Sequence, residues 1–539
     1  MSANVQDILL RDKFLSGQND DWRSYFQDLA DFCLPRKAWI TTVKTKGERL
    51  KFNFLYDSTA IRSAKIMAAG FHHNLTNPSS KWFAQVTRDP KLMKDREVQL
   101  YFHEVEEIIF SVLAGSNFDT TFQEFYMDAG VFGTGTVLTL DDPRDKVRFT
   151  IVPVEQLNFE EDAYGRICAA YRNFKLTAMQ AFMLWGQDCG KAVLDAYKDR
   201  PFTDFDFLHY VGPRKRRDVT KSDNLSLEFE SVWIQKKENH LIGESGFYEF
   251  PYAVGRFWKD ANDVFGFSPA MDVLADIKLV NAQQRTLLRA AMKQADPPMQ
   301  APSKGYMLPL NFNPAAMNYR SPDVDPNSLQ PIPVGAGNLP ITIEIIKMVQ
   351  DNIEQGFFVP LFRAISDQNK QMTIPEVQRR ISENMVLLGP VVGRFMNELI
   401  GPTLTRVFNI LYRNGDLPDP PAQLQGKEFD FINLGALAMA QRQSEVNTIG
   451  GYLQSLGQIA QYKPGVLDKV NEDKTAEILA KVTGVNPEIL HSDKEVKTMR
   501  DQRAQAAAAQ MQLEALHKGA AIAETAGKAG KHMAEAERE

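Results

Sequence analysis

Residues 268–298 read SPAMDVLADIKLVNAQQRTLLRAAMKQADPP and predict a long helix. Ser268 is a preferred N-cap and Pro269 suits the first helical turn, whereas the dipeptide Pro297-Pro298 cannot continue a helix. A Pro-rich segment follows at 297–340, and a second helical pattern covers 341–358. The sequence therefore predicts two helices joined through an irregular tip, as in a helical hairpin.

Four cations lie on one side of the first predicted helix: Lys278, Arg285, Arg289 and Lys293. Their separations of seven, four and four residues confine them to a sector of about 80° at 100° per residue. The other side is expected to be buried and carries Ile277, Val280, Leu287, Leu288 and Ala291. Such a stripe is either a solvated face or a surface that contacts phosphates or an acidic neighbour. The pattern leaves these alternatives open.

A very long helix is predicted further along the chain. Thr373-Ile-Pro-Glu376 matches a capping box, and an apolar stripe of helical period continues from it. Gly389-Pro390 and Gly401-Pro402 predict two kinks, and Asn414-Gly415 predicts the end of the helix. Two i,i+4 ion pairs are assigned to its exposed side: Arg379 with Glu383, and Arg394 with Glu398.

The first half of the chain mixes helical and strand patterns. An amphipathic helix follows Pro90 and stops near Gly115, and Gly133-Thr-Gly135 is interpreted as a turn into a strand. Strands are predicted at 136–140, 147–154, 167–174, 225–234 and 247–252. Because helices and strands do not alternate as βαβ units, the fold class is predicted to be α+β.

The composition narrows the class of protein. A chain of 539 residues exceeds one hydrophobic core, so several domains or an elongated multi-part subunit is expected. Cys33, Cys168 and Cys189 contain no CxxC pair, which favours a reducing compartment. The N-terminal residues lack the order of a signal peptide, and no apolar run is long enough to span a bilayer. The net charge of −6 argues against electrostatic coating of nucleic acid but permits local basic surfaces.

Motifs for the common catalytic chemistries are absent. No segment matches Walker A, HExxH, GxSxG or an EF-hand loop, so an ATP-driven motor and a metalloprotease are disfavoured. His72-His73 and the pair His103 and Glu107 lack an evident third metal ligand and are interpreted as structural. Arg214-Lys-Arg-Arg217 is interpreted as a surface loop. The Ala-rich end of the chain is either a helix that needs neighbours or a frayed tail.

Several motifs together point to one family. The N-terminal group is Tyr56-Asp57-Ser58-Thr59, Ala68-Ala69-Gly70, Leu75-Thr76-Asn77-Pro78 and Trp82-Phe83. A second group is Phe250-Pro251, Arg256-Phe257-Trp258 and Phe265-Gly-Phe-Ser-Pro269, where the family more often has YGRSP. The most specific group is Thr373-x-x-Glu376, Leu388-Gly-Pro390, Asn397-Glu398-Leu399, Pro402 and Gly415-Asp-Leu-Pro418-Asp-Pro420-Pro421. In these motifs the chain resembles the head-to-tail connecting, or portal, proteins of short-tailed bacteriophages.

The resemblance implies an elongated α+β subunit that assembles into a ring, usually of twelve copies. It assigns residues 1–265 to an α+β wing, 266–296 to the first stem helix, 297–340 to a clip, 341–358 to the second stem helix, 359–373 to a channel loop, 374–430 to the long kinked helix and the return to the wing, 431–495 to a helical crown, and 496–539 to a C-terminal helix, barrel or disordered tail. The two helices and tip predicted from the residues agree with this stem and clip.

The resemblance also implies a function at a capsid vertex of the virion. The ring would be assembled in the host cytoplasm, and no membrane would be involved. The ring would conduct double-stranded DNA during packaging and ejection and would dock terminase and a tail adaptor, beside the major capsid and scaffolding proteins. Because the terminase would supply ATP hydrolysis, no catalytic residue, metal or cofactor is assigned. The predicted DNA-channel or inter-subunit contacts are Lys278, Arg285, Arg289, Lys293, Arg363 and Lys370. The alternatives are a nucleic-acid-processing enzyme and a monomeric virion scaffold or adaptor.

Overall fold

The computed structural model describes residues 4–41, 54–89, 91–215, 217, 220–221, 223–300, 306–307, 309–311, 317–325, 327–331, 339–366, 388–427, 429–433, 449–460, 462, 465, 470–483, 491 and 495–510. These residues form two compact units. Unit 1 draws on Met1–Gln85, Val105–Pro418 and Asp430–Gly451, and unit 2 draws on Val86–Glu104, Asp419–Phe429 and Tyr452–Glu539.

The described elements combine helices and strands, as predicted. The helices are α1 (Val5–Gln18), α2 (Asp20–Cys33), α3 (Thr59–Leu75), α4 (Arg96–Gly115), α5 (Phe118–Phe132), α6 (Ala178–Trp185), α7 (Lys191–Asp199), α8 (Pro269–Asp272), α9 (Leu274–Ala295), α10 (Leu339–Gly356), α11 (Val359–Ser366), α12 (388–395), α13 (Gly401–Asn414), α14 (449–460), α15 (Glu472–Thr483) and α16 (495–510). The strands are β1 (Phe83–Thr87), β2 (Thr134–Asp142), β3 (Lys146–Ile151), β4 (Leu157–Glu161), β5 (Ile167–Thr177), β6 (Asp204–Pro213), β7 (Phe229–Gln235), β8 (His240–Phe247), β9 (Tyr252–Arg256), β10 (Met299–Gln300), β11 (Gln330–Pro331) and β12 (Phe429–Asn433).

A five-stranded antiparallel sheet, in the order β4-β5-β6-β7-β8, is covered by helices on both faces. Successive side chains of a strand point to opposite faces, so β6 contributes Leu208 and Tyr210 to one core and Phe205 and Phe207 to the other. Ile8 and Leu15 of α1 pack in the first core, whereas α6 and α7 supply the second core. The sequence patterns did not predict β4 or β6.

A second sheet, in the order β3-β2-β9, packs against α5. Gly133 ends α5 with a φ of +75°, a conformation that a residue without Cβ adopts readily, and β2 starts at Thr134. The break predicted at Gly133 is thus confirmed, whereas Thr134 and Gly135, interpreted as part of the same turn, lie in β2. An added Cβ on Gly133 would lie 2.1 Å from the carbonyl oxygen of Gly266, so the two backbones approach as closely as glycine permits.

The predicted helix at 266–296 is not continuous. It is divided at Val273 into α8 and α9, where the Val273 side chain packs against Gly356 at the end of α10. The second predicted helix lies at Leu339–Gly356 rather than 341–358. Beyond it, Phe358 has a φ of +57°, and α11 occupies the first half of the segment predicted as a loop at 359–373. Phe362 of α11 packs on Phe71 of α3, with ring centroids 5.3 Å apart, and this apolar contact favours a helix there.

The kinked helix differs from the prediction in the form of its interruption. Residues 388–395 are α-helical, Met396–Ile400 form a π-helical turn, and α13 starts at Gly401. Pro402 supplies no backbone N–H, which removes an ordinary helical bond at this point. Gly415 ends α13 in the left-handed conformation, as predicted. The capping box at 373–376 and the pair Arg379 with Glu383 lie outside the described residues.

The predicted crown segment, 431–495, starts within β12 and contains α14 and α15. Residues 495–510 of the Ala-rich end are helical and exposed. Arg500 of this helix binds Asp473 of α15, with an Nη2–Oδ1 distance of 2.6 Å. Both side chains are more than half exposed, so the pair contributes little to stability.

We expect Glu106 to make the stability of the chain depend on pH. Burial raises the pKa of this carboxyl to about 7, although it accepts the backbone N–H of Gln85 at 2.7 Å. The folded state then binds more protons than the unfolded state between about pH 4.5 and 7, so stability falls by about 3 kcal/mol as pH rises through this window. Glu106→Gln should flatten this fall when urea midpoints are compared at pH 5 and 7.5. An equal fall in both proteins would contradict the assignment.

Candidate functional site on the paired helices

The helices α9 and α10 form an antiparallel pair. Their near ends meet where Val273 contacts Gly356, because a Cβ on Gly356 would lie 2.3 Å from Val273 Cγ1. Beyond their far ends, the short strands β10 and β11 pair antiparallel through Met299 and Pro331. The buried apolar side chains of the pair are Leu274, Ile277 and Val280 on α9 and Ile346, Val349 and Ile353 on α10. The predicted hairpin of two helices is therefore confirmed for the described residues.

The motif Tyr56-Asp57-Ser58-Thr59 ties this hairpin to α3. Asn281 of α9 accepts the backbone N–H of Tyr56 at 2.7 Å and donates to the carbonyl of Phe54 at 2.7 Å. Gln350 of α10 donates to Asp57 Oδ2 at 2.7 Å, while Asp57 Oδ1 accepts the Thr59 N–H at the start of α3. One short segment thus fixes both helices relative to the rest of unit 1.

The structure gives the predicted basic residues different surroundings. Lys278 Nζ lies 2.7 Å from Asp28 Oδ2, and the Arg285 guanidinium lies 5.9 Å from the centroid of the Tyr56 ring. Arg289 and Lys293 are exposed farther along α9, and neither pairs with an acidic residue that the structure describes. Arg363 pairs with Glu354 at 3.0 Å, whereas Lys370 lies outside the described residues. The contacts predicted for these residues in a channel or between subunits stay predictions.

Large apolar side chains are exposed on both helices. On α9 they are Leu279, Leu288 and Met292, and on α10 they are Ile341, Ile343, Ile345 and Met348. Met292 is 68% exposed and Met348 is 58% exposed. The far half of α9, predicted to bury one face, therefore leaves that face in contact with water in a single chain. Patches of this kind mark surfaces that associate with other molecules.

A buried ion network lies beside this site. The Arg256 guanidinium binds both oxygens of Glu398, at 3.1 and 2.8 Å, and also binds Glu161. Lys259 joins Glu161 at 2.5 Å, and Arg394 joins Glu398 at 3.1 Å. Burial alone would lower the pKa of Arg256, but the hydrogen bonds and charges of Glu398 and Glu161 outweigh it and raise that pKa. Arg256 is therefore a cation in the folded protein.

This network connects elements that are distant in sequence. Arg256 ends β9, Glu398 lies in the π-helical turn, and Glu161 ends β4. Arg256 also donates to the carbonyl of Val264, shortly before the hairpin begins. The network therefore holds the π-helical turn against the start of the hairpin.

The sequence patterns missed this network. The pair Arg394 with Glu398 was assigned to the exposed side of its helix, but the Glu398 side chain is only 18% exposed because Arg256 covers it. A signal was present in the motif Phe250-Pro251 to Arg256-Phe257, since an arginine among apolar strand residues requires a buried partner.

The run Arg214-Lys-Arg-Arg217 is not simply a surface loop. Arg214 follows β6, and its side chain is 6% exposed. It donates to Glu244 Oε1 at 2.6 Å and to the Ser245 carbonyl at 2.8 Å, both in β8. The surface-loop prediction is therefore wrong for Arg214, because two part-buried acceptors in β8, two strands from β6 in the sheet, satisfy its guanidinium.

No group of three or more His, Cys, Asp and Glu side chains within the described residues is placed to hold a metal ion. Within the same part of the chain, no helix combines the length and the apolar character that crossing a bilayer requires.

Comparison with known proteins matches nearly the whole chain. A family model described as bacteriophage head to tail connecting protein matches residues 6–490. The probable portal protein of Bordetella phage BPP-1 is 28% identical over 522 residues, which is 96% of this chain and 93% of that protein. The portal protein of Salmonella phage epsilon15 is 27% identical over 503 residues, covering 92% and 90%. A chain in the neck of an empty GTA particle matches with a TM-score of 0.37 and 13% identity, covering 75% of this chain and 90% of that chain.

Proposed function

Because the chain belongs to the bacteriophage head to tail connecting protein family, we propose that it is a portal subunit that forms a ring of twelve copies at one vertex of the capsid. The ring would conduct double-stranded DNA into the head during packaging and out of it during ejection. The sequence motifs predicted the family, and the comparison with known proteins confirms that prediction. The ring and its DNA channel are proposed from the same resemblance.

The observation that carries the proposal is the exposed apolar surface of the paired helices. A single chain leaves Leu288, Met292, Ile345 and Met348 in water along the two helices. A rotationally related copy can cover such a surface, and a closed ring leaves none of these interfaces uncovered. The Tyr56–Asp57 segment supports this proposal, since it holds both helices in one orientation before assembly.

The basic residues supply the proposed contact with DNA. Arg289 and Lys293 lie farthest along α9 and are exposed, so their charges are available to phosphates in a channel. Phosphate contacts by separate cations are weak and sensitive to salt, which suits DNA that must keep moving. Arg363 and Lys370 belong to the proposed channel loop at 359–373 and are assigned the same role.

The partners follow from the proposed position in the virion. Residues 297–340 would form the clip that docks terminase and the tail adaptor, since a Pro-restricted tip loses little further entropy on binding. The major capsid and scaffolding proteins would surround the ring. The chain itself would hydrolyse no nucleotide, because the terminase would supply that activity.

We expect the purified chain to form a ring whose mass light scattering can measure. Twelve chains of 60.9 kDa give about 730 kDa. Negative-stain electron microscopy of the same sample should show annular particles with a central channel. A monomer at every salt concentration would contradict the ring and would favour a scaffold or adaptor instead.

A further inference from the structure

The two outer sides of the hairpin carry opposite charge. On α9, Lys278 and Arg285 are exposed and lie about 160° and 140° from the buried Val280 at 100° per residue, whereas Leu274, buried in the first turn, lies about 40° and 20° from them. On α10, Glu344 and Asp351 are exposed and lie at least about 140° from each of the buried residues of that helix. One side of the hairpin is therefore cationic, and the other presents two carboxylates.

These charges also lie at matching levels. The contact of Val273 with Gly356 defines a common starting level for the two antiparallel helices. Lys278 lies five residues after Val273, and Asp351 lies five residues before Gly356. Arg285 and Glu344 are each twelve residues from the same two points. At 1.5 Å per residue, Lys278 and Asp351 each lie about 8 Å from the starting level, and Arg285 and Glu344 each lie about 18 Å from it.

The other exposed residues are compatible with this register. Lys347 lies between the two carboxylates, nine residues before Gly356, but the residue at its level on α9 is Ala282, so it opposes no cation. Leu288 and Ile341 are each fifteen residues from the starting level and are 44% and 51% exposed. The matched charges are thus followed by a matched apolar pair.

Neither carboxylate has a counter-ion among the residues that the structure describes: no ion pair joins Glu344 or Asp351 to a basic side chain there. Within the same residues, Arg285 contacts the face of the Tyr56 ring, and no hydrogen bond occupies its N–H donors. Lys278 already binds Asp28, but both side chains are about half exposed and can accept a further neighbour.

We propose that the Lys278–Arg285 side of α9 pairs with the Asp351–Glu344 side of α10 on the next copy of this chain. The inference rests on the proposed ring and specifies the contact between its subunits. Rotation about the ring axis moves a residue around the axis but does not move it along the axis. If the hairpin runs along the axis, residues at the same level of two adjacent copies therefore lie side by side. Each copy then uses two different surfaces, as closure of a ring requires, whereas an α9–α9 contact would oppose like charges.

The test uses full-length chains with single charge reversals. Arg285→Glu and Glu344→Arg should each reduce the ring fraction at least tenfold in light scattering, since every interface then opposes like charges. Their circular dichroism spectra should match the wild type because both residues are exposed, whereas their thermal midpoints should fall to the extent that ring contacts stabilise the wild-type subunit. Lys293→Glu is the matched control and should leave the ring intact, because it lies twenty residues from Val273, beyond the level of Leu339 where α10 begins.

Mixing the two assembly-deficient variants separates this contact from a pair within one chain. In an alternating ring, the glutamate introduced by Arg285→Glu would face the arginine introduced by Glu344→Arg at every second interface. The remaining interfaces of the alternating ring would keep the original Arg285–Glu344 pair. A mixture should therefore restore rings with equal amounts of each variant in native mass spectrometry.

Three results would overturn the inference. Normal rings from Arg285→Glu would show that this pair does not hold subunits together, while the ring itself would stand. Restoration by the double variant R285E/E344R but not by mixing would place the pair within one chain. Absence of rings from the wild type would refute the proposed function and this contact together.

Discussion

Arg256→Met should lower the free energy of unfolding by about 3–5 kcal/mol, the typical effect of removing one partner from a buried ion pair. Arg256 is 2% exposed, and its guanidinium neutralises Glu398 and Glu161, which are 18% and 16% exposed. Methionine fills similar volume, so the loss would come mainly from the charge and its hydrogen bonds. Urea unfolding followed by tryptophan fluorescence measures the difference.

Arg394→Met is the matched control for this prediction. It removes a cation from the same Glu398 carboxylate, but the Arg394 side chain is 34% exposed and the pair is an i,i+4 contact. Its effect should stay below about 1 kcal/mol. If Arg256→Met does not fold, Glu398→Gln tests the same network with a milder change. Equal effects of the two arginine variants would show that burial of Arg256 contributes no additional stability.

Gly133→Ala is expected to destabilise the chain by about 2–5 kcal/mol. The left-handed conformation, with φ at +75°, costs a residue with a Cβ about 1–2 kcal/mol. The new methyl group would also lie 2.1 Å from the carbonyl oxygen of Gly266, and a backbone atom cannot turn aside as a side chain does. The overpacking adds about 1–3 kcal/mol.

Gly415→Ala separates these two contributions. Gly415 has almost the same φ, +76°, at the end of α13, but apart from its neighbours along the chain, no atom of the described residues lies within 4 Å of a Cβ placed there. Only the conformational cost of about 1–2 kcal/mol should appear. Urea midpoints of both variants provide the comparison. Equal midpoints would mean that the structure relaxes around the methyl group introduced at position 133 and that its contact with Gly266 is unimportant.

The local signals in the sequence predicted local structure well. The Ser268 hydroxyl accepts the backbone N–H of Met271 at 3.2 Å, as the cap prediction requires, and α9 ends at Ala295 before the paired prolines. Gly133 and Gly415 adopt the conformations that favour glycine. These features depend on a few adjacent residues, so periodicity and turn chemistry are sufficient to predict them.

The misses concern contacts between distant residues. Periodicity places Glu398 beside Arg394 but cannot show that Arg256, 142 residues away, covers that face. Likewise, Tyr56 and Asn281 are 225 residues apart in the sequence. The motif that contains Tyr56 could therefore be recognised in the sequence, but its hydrogen bond to Asn281 could not be predicted. The basic stripe was predicted as a unit, yet the structure separates Lys278 and Arg285, which have partners, from Arg289 and Lys293.

The π-helical turn at Met396–Ile400 determines which change of length this part of the chain can accept. It accommodates one residue more than a regular α-helix would between the same ends. Before the turn, Phe395 packs on Phe125, and after it Arg406 donates to the Thr139 carbonyl at 2.8 Å. Deleting one residue within the turn would convert it to a regular α-helix between the same ends, so both groups could keep their contacts. Inserting one residue into the flanking helix would instead rotate one group by about 100° relative to the other. Over evolutionary time, loss of a single codon here should therefore be accepted more readily than gain of one.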